Sequence, residues 1–414
     1  MSNFTRRRVV ITGLGTVTAV GNNVADTWDN IKAGKNGIGP ITKLDTSVQK
    51  VKLGAEVKDY VYHDKKEARR LDLVSQYAIT AAIEAFAQSG LVAGENIDAN
   101  RVFTYVSTGI GGIMTLEEDI KDGYAKGFRH VSPLLVPMII GNMVAGNVAI
   151  QFGLKGSALD IVTACATGTD SIGQAFRAIR DGYAEAAVAG GSEAPFAPVC
   201  FAGFCNMKAM NTTEDPNRAS IPFDKERGGF IMGEGAGILI LEEYEHAKAR
   251  GANILGEVVG YGSSCDAYHI TKPHPEGEGG AAAMQAAVDD AAIDPSAVNY
   301  INAHGTSTPY NDLFETRAIK KVFGDAAYKL AVSSTKSMTG HGFGAAGAIE
   351  ALLCVKAIED QILPPTINHK VPDPELDLDY VTTGARPAEI NYTLSNSLGF
   401  GGHNGTIIIK KFED

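Results

Sequence analysis

A glycine-rich hairpin leading into an apolar strand occurs twice in this chain, and that repetition limits the possible folds more than any other feature. Gly228-Gly-Phe-Ile-Met-Gly-Glu-Gly-Ala-Gly precedes the apolar run 238–241, and Leu398-Gly-Phe-Gly-Gly-His-Asn-Gly precedes the run 406–409. Each follows a strand-then-helix unit. In the first half, the apolar run 159–162 reads as a buried strand, after which Ile172, Ala175, Phe176 and Ile179 recur at helical spacing. In the second, a strand at 329–333 is followed by a helix at 344–359 with Ala348, Leu352 and Val355 along one stripe. Strands alternating with helices give an α/β chain, and the repeated plan reads as an internal duplication, residues 1–255 against 256–414.

The remaining segments fit around this plan. Residues 8–12 read as a first strand, followed by Gly13-Leu-Gly15-Thr-Val-Thr18. Thr18 stands where a dinucleotide-binding fingerprint needs its third glycine, so this is read as a turn at the strand end. An alanine-rich helix is expected over 75–89, a strand over 102–106, a flexible glycine loop over 109–113 and a buried, irregular helical insertion over 133–150. A further strand at 186–189 closes in Gly190-Gly-Ser-Glu193, and a water-facing helix is expected at 242–250.

Charge and composition exclude several functions. A formal charge of −11 over 414 residues opposes general binding to nucleic acid or an anionic membrane. No apolar stretch reaches spanning length, and the run 9–12 after the leading Met1 to Arg8 is too short for a secretion signal, which points to a cytoplasmic protein. The five cysteines, 165, 200, 205, 265 and 354, are an odd number without a C-x-x-C pair, so neither a disulfide framework nor a zinc site is expected.

Cys165 is the residue on which chemistry would turn. It sits in Thr163-Ala-Cys-Ala-Thr-Gly, where a strand gives way to a helix, among small side chains that permit close approach. A helix start leaves N–H groups unpaired and can pull a thiol from about 8.5 into the range of about 3.5–7.5; alternatively the residue is a small buried hydrophobe. His304, Lys336 and His341 lie just past other strand ends, where α/β proteins gather their ligand sites. One cysteine with two histidines fits a papain-like hydrolase, with one histidine as base. It equally fits an acyltransferase in which both histidines bind a carbonyl oxygen and the helix terminus alone activates the thiol. Spacing leaves both open.

Six stretches in order carry a family resemblance: Thr163-Ala-Cys-Ala-Thr-Gly-Thr, Gly233-Glu-Gly-Ala-Gly, Ala303-His-Gly-Thr-Ser-Thr-Pro, Ser334-Thr-Lys-Ser-Met-Thr-Gly-His, Gly344-Ala-Ala-Gly and Gly399-Phe-Gly-Gly. Across essentially its whole length the chain resembles the β-ketoacyl-acyl carrier protein synthases of fatty-acid synthesis, in particular their elongating type II branch. The resemblance implies a thiolase fold of five alternating αβαβα layers built from two related halves, assembled as a homodimer. It implies Cys165 as acyl-carrying nucleophile, the N–H groups of Cys165 and Phe400 as oxyanion hole, and His304 and His341 as donors to the thioester oxygen of a decarboxylating malonyl carrier. Lys336 and Glu350 match supporting groups, Thr306 and Thr308 contacts to the phosphopantetheine arm, and Ile110 a residue of the acyl pocket. Lys66, Arg69 and Arg70 match a docking patch for acyl carrier protein. No metal or separate cofactor is implied. Leu398, His403, Gly342-Phe343 and Gly228 depart from the family pattern and bear on gating and acyl length. The condensing subunit of a polyketide system shares the reactive residues, whereas a non-catalytic chain-length partner would lack the cysteine.

Overall fold

The computed structural model of the chain describes residues 6–414. Residues 1–5, the start of the segment weighed as a secretion signal, lie outside the described residues. The main sheet comprises β1 (Val9–Val17), β2 (Val102–Ser107), β3 (Ala186–Glu193), β4 (Gly235–Glu243), β5 (Gly256–Cys265), β6 (Tyr300–Asn302), β7 (Ala331–Ser333), β8 (Tyr392–Gly399) and β9 (His403–Lys410). Their order is β2-β3-β4-β1-β5-β9-β8-β6-β7.

This order is the duplication in three dimensions. Reading outward from the centre, β1 pairs antiparallel with β4, β4 antiparallel with β3, and β3 parallel with β2. On the other side β5 pairs antiparallel with β9, β9 antiparallel with β8, and β8 parallel with β6. The halves join through a short antiparallel contact in which Val9, Val10 and Ile11 face Val258, Glu257 and Gly256.

Five helices complete the layers: α1 (Leu73–Ser89), α2 (Thr167–Arg180), α3 (Glu278–Ala291), α4 (Pro309–Phe323) and α5 (Ala346–Asp360). α2 and α5 touch each other and strands of both half-sheets, α1 covers the outer face of the first half-sheet, and α3 that of the second. The result is the αβαβα thiolase architecture. α5 is buried on every side, from Ala346 through Val355, rather than along the single stripe expected. A helix apolar all round belongs between two sheets.

Paired glycines set the spacing of the outer layers. A Cβ on Gly13 or Gly15 would lie 2.2 Å from the Ala85 carbonyl oxygen or 1.8 Å from that of Ala81. In the second half, Gly260 and Gly262 meet Ala287 and Ala283 of α3 in the same way, at 2.3 and 2.0 Å. Gly13-Leu-Gly15 is therefore the middle of a nine-residue strand and not the turn expected. Its glycines serve helix–sheet contact, the use glycine has inside strands.

Other expectations also change. Residues 159–162 do not form a strand. Ala158 bridges Thr104, but Leu159 and Val162 are 47% and 54% exposed. Beyond Leu159, whose N–H donates to the Thr104 carbonyl, side chains replace the ladder: the Ile161 N–H donates to Ser107 Oγ at 2.8 Å and the Thr108 N–H to Asp160 at 3.1 Å. The insertion at 133–150 forms helices Leu135–Ile139 and Asn142–Phe152, preceded by an unforeseen helix, Ile113–Lys126. It is not buried as expected, since Leu134, Val136, Ile140 and Ile150 stand exposed. The helix expected to face water begins only at Tyr244, and it buries Tyr244 and Ala247. The cysteines are all free, and no helix of the described residues is long and apolar enough to cross a membrane.

Candidate active site

A left-handed residue sets the cysteine. Ala164 adopts φ 52°, opening a short turn, Ala164–Ala166, that ends where α2 begins. An L residue accepts that conformation at a cost of about 1–3 kcal/mol, held by its surroundings. Gly399 supplies the room: a Cβ there would lie 2.8 Å from the Thr163 carbonyl oxygen and 3.1 Å from the Cys165 nitrogen. Cys165 thus faces a cavity of about 340 Å³ that is also lined by His304, His341, Thr306, Thr308, Phe343 and Phe400.

The histidines arrive from the second half. His341 Nε2 lies 3.0 Å from Cys165 Sγ. Its backbone is pinned by strand-like bonds to the glycine-rich segment before β4, His341 N–H donating to Ile231 and Gly233 N–H donating to His341. Phe230 meets its ring edge-on at 5.6 Å and Phe343 lies tilted at 4.9 Å. His304 follows β6, and its ring stands perpendicular to that of His341, with centroids 5.2 Å apart. Glu315 of α4 fixes the His304 loop by accepting the N–H groups of His304 and Gly305, each at 2.8 Å.

Behind them lies a buried ion pair. Lys336 pairs with Glu350 of α5, and its Nζ is 3.5 Å from His304 Nδ1. Burial and this ammonium hold both histidines well below the usual imidazole value, His304 further lowered by His341. Both rings are neutral at physiological pH. Burial raises the Glu350 carboxyl and Lys336 draws it back down. Burial also raises the Cys165 thiol to about 12, against the pull of Lys336 and of the Phe400 and Cys165 N–H groups.

That corrects the expected activation. Burial outweighs the helix terminus, so the resting sulfur is a thiol, and the neutral Nε2 beside it can take its proton as it attacks. The Cys165 and Phe400 backbone N–H groups are both directed at the sulfur. Cys165, His304 and His341 also present donor atoms within 4.8 Å of one another. A dication there would sit against the Lys336 ammonium, so the electrostatics of this set oppose a metal.

The other expected residues divide. Thr306 and Thr308 share a 2.9 Å hydrogen bond on the cavity wall. Among the residues that depart from the family pattern, Gly228, Phe343 and Leu398 line the cavity, whereas His403 does not. Ile110 lies outside that wall, its N–H bound to Glu193. Lys66, Arg69 and Arg70 are exposed at or just after the short helix Lys65–Ala68, away from the cavity and outside every ion pair of the described residues. Sequence reasoning missed Glu315 and Glu193 as site residues. The only signal was position, since each carboxylate lies close to a glycine-bearing strand end.

Fold and cavity together define a thiolase-type enzyme with a cysteine and two neutral histidines at one centre. The N-terminal domain of beta-ketoacyl synthases matches residues 6–247, and the C-terminal domain matches residues 255–370. A 3-oxoacyl-[acyl-carrier-protein] synthase 2 of Staphylococcus aureus (strain COL) is 52% identical over 410 residues, covering 98% of this chain and 99% of that protein. One of the same name from Synechocystis is 50% identical over 417 residues, covering 100% of both. Among solved structures, a beta-ketoacyl synthase from Burkholderia phymatum superposes with TM-score 0.91 at 34% identity, covering 98% of this chain and 100% of that one. A type II polyketide ketosynthase entity, solved with its acyl-carrier protein, gives TM-score 0.92 at 37% identity, covering 98% and 100%. The chain belongs to the beta-ketoacyl synthase family.

Proposed function

We propose that this chain condenses an acyl group held on Cys165 with malonyl-acyl carrier protein, releasing carbon dioxide and giving 3-oxoacyl-acyl carrier protein in fatty-acid elongation. The observation that carries this reading is the shared cavity, with His341 Nε2 3.0 Å from Cys165 Sγ and the His304 ring perpendicular beside it. In the first step the sulfur attacks the acyl thioester carbon. Its proton passes to His341 and on to the departing phosphopantetheine thiol, and the N–H groups of Cys165 and Phe400 hold the oxyanion.

In the second step Thr306 and Thr308 steady the arm of the malonyl carrier. Neutral His304 donates to its thioester oxygen, as does His341 once its ring proton stands on Nε2 rather than Nδ1, so the carbon–carboxylate electron pair moves into an enolate as carbon dioxide leaves. The enolate carbon attacks the acyl carbon, and the thiolate of Cys165 departs and takes up a proton. Lys336 and Glu350 keep the imidazoles neutral and fixed. By the family resemblance Ile110 would bound an acyl channel beyond the Cys165 cavity, whose wall it does not join.

The carrier docks at Lys66, Arg69 and Arg70, whose free charge suits an acidic partner; the ketosynthase relative solved with its acyl-carrier protein supports such a partnership. The exposed apolar residues Val136, Ile140, Ile150, Leu159 and Val162 support a homodimer, and the chain divides functionally into halves 1–255 and 256–414. The protein works in the cytoplasm without a separate cofactor. Higher identity to the relatives named synthase 2 than to the polyketide ketosynthase favours fatty-acid elongation over the polyketide alternative. The test is incubation with acyl carrier and malonyl carrier, followed by the masses of enzyme and product. An acyl adduct on Cys165 and a 3-oxoacyl product support the reading, and neither forming overturns it.

A further inference from the structure

A second cavity, of about 400 Å³, opens where β6 and β7 begin. Val298 and Asn299 on its wall lead into β6, which runs on to His304, and Lys329 and Leu330 lead into β7, which runs on to Lys336. The cavity therefore lies at the opposite ends of these strands from the catalytic centre, and it shares no lining residue with the cavity at Cys165. An apolar wall bearing a few polar groups, at this size, is the make-up of a small-molecule site.

The floor is apolar, formed by the buried Val298, Leu330, Ala331 and Leu363. The rim carries four charged side chains, two of which answer each other. Arg386 pairs with Asp379, whose other carboxylate oxygen accepts the Val381 N–H at 3.2 Å. Lys329 enters no ion pair or side-chain hydrogen bond of the described residues. Asn299 spends its side-chain oxygen on the N–H groups of Asn391 and Tyr392, at 2.8 and 3.0 Å, which leaves its NH₂ group to donate elsewhere. Glu389 meets only the neutral Asn391 amide, at 3.0 Å. What is left over is one cation, one amide donor and one carboxylate around an apolar floor. The rim is also held in place before any ligand arrives, since the Asp379 carbonyl accepts the Val332 N–H at 2.8 Å and the Asn299 carbonyl the Ala331 N–H at 3.0 Å.

We infer that this cavity binds a small zwitterion with an apolar side chain, of the class of a free branched amino acid such as leucine. Lys329 and the Asn299 amide receive its carboxylate, Glu389 its ammonium, and the floor its side chain. A plain anion would leave Glu389 unanswered and a plain cation Lys329, so charge complementarity selects a molecule bearing both. The site stands apart from the condensing reaction and does not depend on it.

The test is calorimetric titration of the full chain with leucine, with 4-methylpentanoate, which lacks the ammonium, and with 3-methylbutylamine, which lacks the carboxylate. Leucine is expected to bind, and each analogue to bind at least about fivefold more weakly, the upper worth of one exposed ion pair. In Lys329→Met leucine should lose its advantage over the amine and keep its advantage over the acid; Glu389→Gln should do the converse. Both side chains are exposed and remote from Cys165, so product formation at the wild-type rate reports that each variant is folded. Absence of leucine binding, an analogue that binds as well as leucine to the wild type, or leucine affinity that survives either substitution unchanged overturns the inference.

Discussion

Truncating the two histidines one at a time should separate the two chemical steps. Only His341 reaches the sulfur, at 3.0 Å; His304 turns its Nδ1 edge toward Lys336, 3.5 Å away, and makes no hydrogen bond to Cys165. In His304→Ala the thiol keeps its proton acceptor, so acylation of Cys165 should proceed near the wild-type rate. The enolate loses one of two donors, a loss of about 2.7–4 kcal/mol and about 10²–10³-fold in rate. In His341→Ala both steps suffer, because a general base contributes about 10²–10⁴-fold to the first. Rapid quenching with mass measurement of the acyl-enzyme follows acylation, and release of labelled carbon dioxide follows decarboxylation. Acylation falling as far in His304→Ala as in His341→Ala, or decarboxylation unimpaired in His304→Ala, would refute this division of labour.

Lys336→Met should move the pH profile. Burial and the ammonium together hold both imidazoles down, so without the ammonium they protonate at higher pH, and below that pH His341 can no longer take the thiol proton. The acid limb of acylation is therefore expected to rise toward about pH 6.5, the ordinary imidazole value; an unshifted limb would contradict the electrostatic role. Charge reversal at Lys66 and Arg69 should raise the apparent KM for carrier protein while leaving kcat unchanged, the effect shrinking with added salt. Equal KM at low salt would detach these residues from docking. Gly15→Val should leave little folded protein, since its first side-chain carbon would lie 1.8 Å from the Ala81 carbonyl oxygen; a melting temperature close to wild type would show that α1 can shift away.

Where the sequence was informative, the physics was local. The glycine hairpin at 399–403, the small residues around Cys165 and the apolar strands each follow from the conformations their residues permit, whereas 228–233 makes isolated parallel bridges instead of the hairpin expected, and the repeated plan appears as matching strand orders in the two halves. Periodicity misled at residues 159–162, where an apolar run meets only one neighbouring strand and Leu159 and Val162 remain exposed. Gly13-Leu-Gly15 misled because glycine marks a tight turn and a close helix–strand contact with the same letter. The sulfur's ionisation was beyond sequence reasoning, since a helix start lowers a thiol while burial raises it, and only coordinates show which prevails. Glu193 and Glu315 were hidden for a related reason: in the sequence they are ordinary acidic residues, and their importance comes from burial among backbone N–H groups.

The most direct measurement uses malonyl carrier labelled with ¹³C at both carbons that survive decarboxylation, added to enzyme already acylated on Cys165. A carbon–carbon bond-forming enzyme returns free thiol at Cys165 and a carrier-bound product that joins the unlabelled acyl chain to the labelled pair. Release of the acyl chain as a free acid, with no label joined to it, would mean that the same cysteine and histidines serve hydrolysis instead.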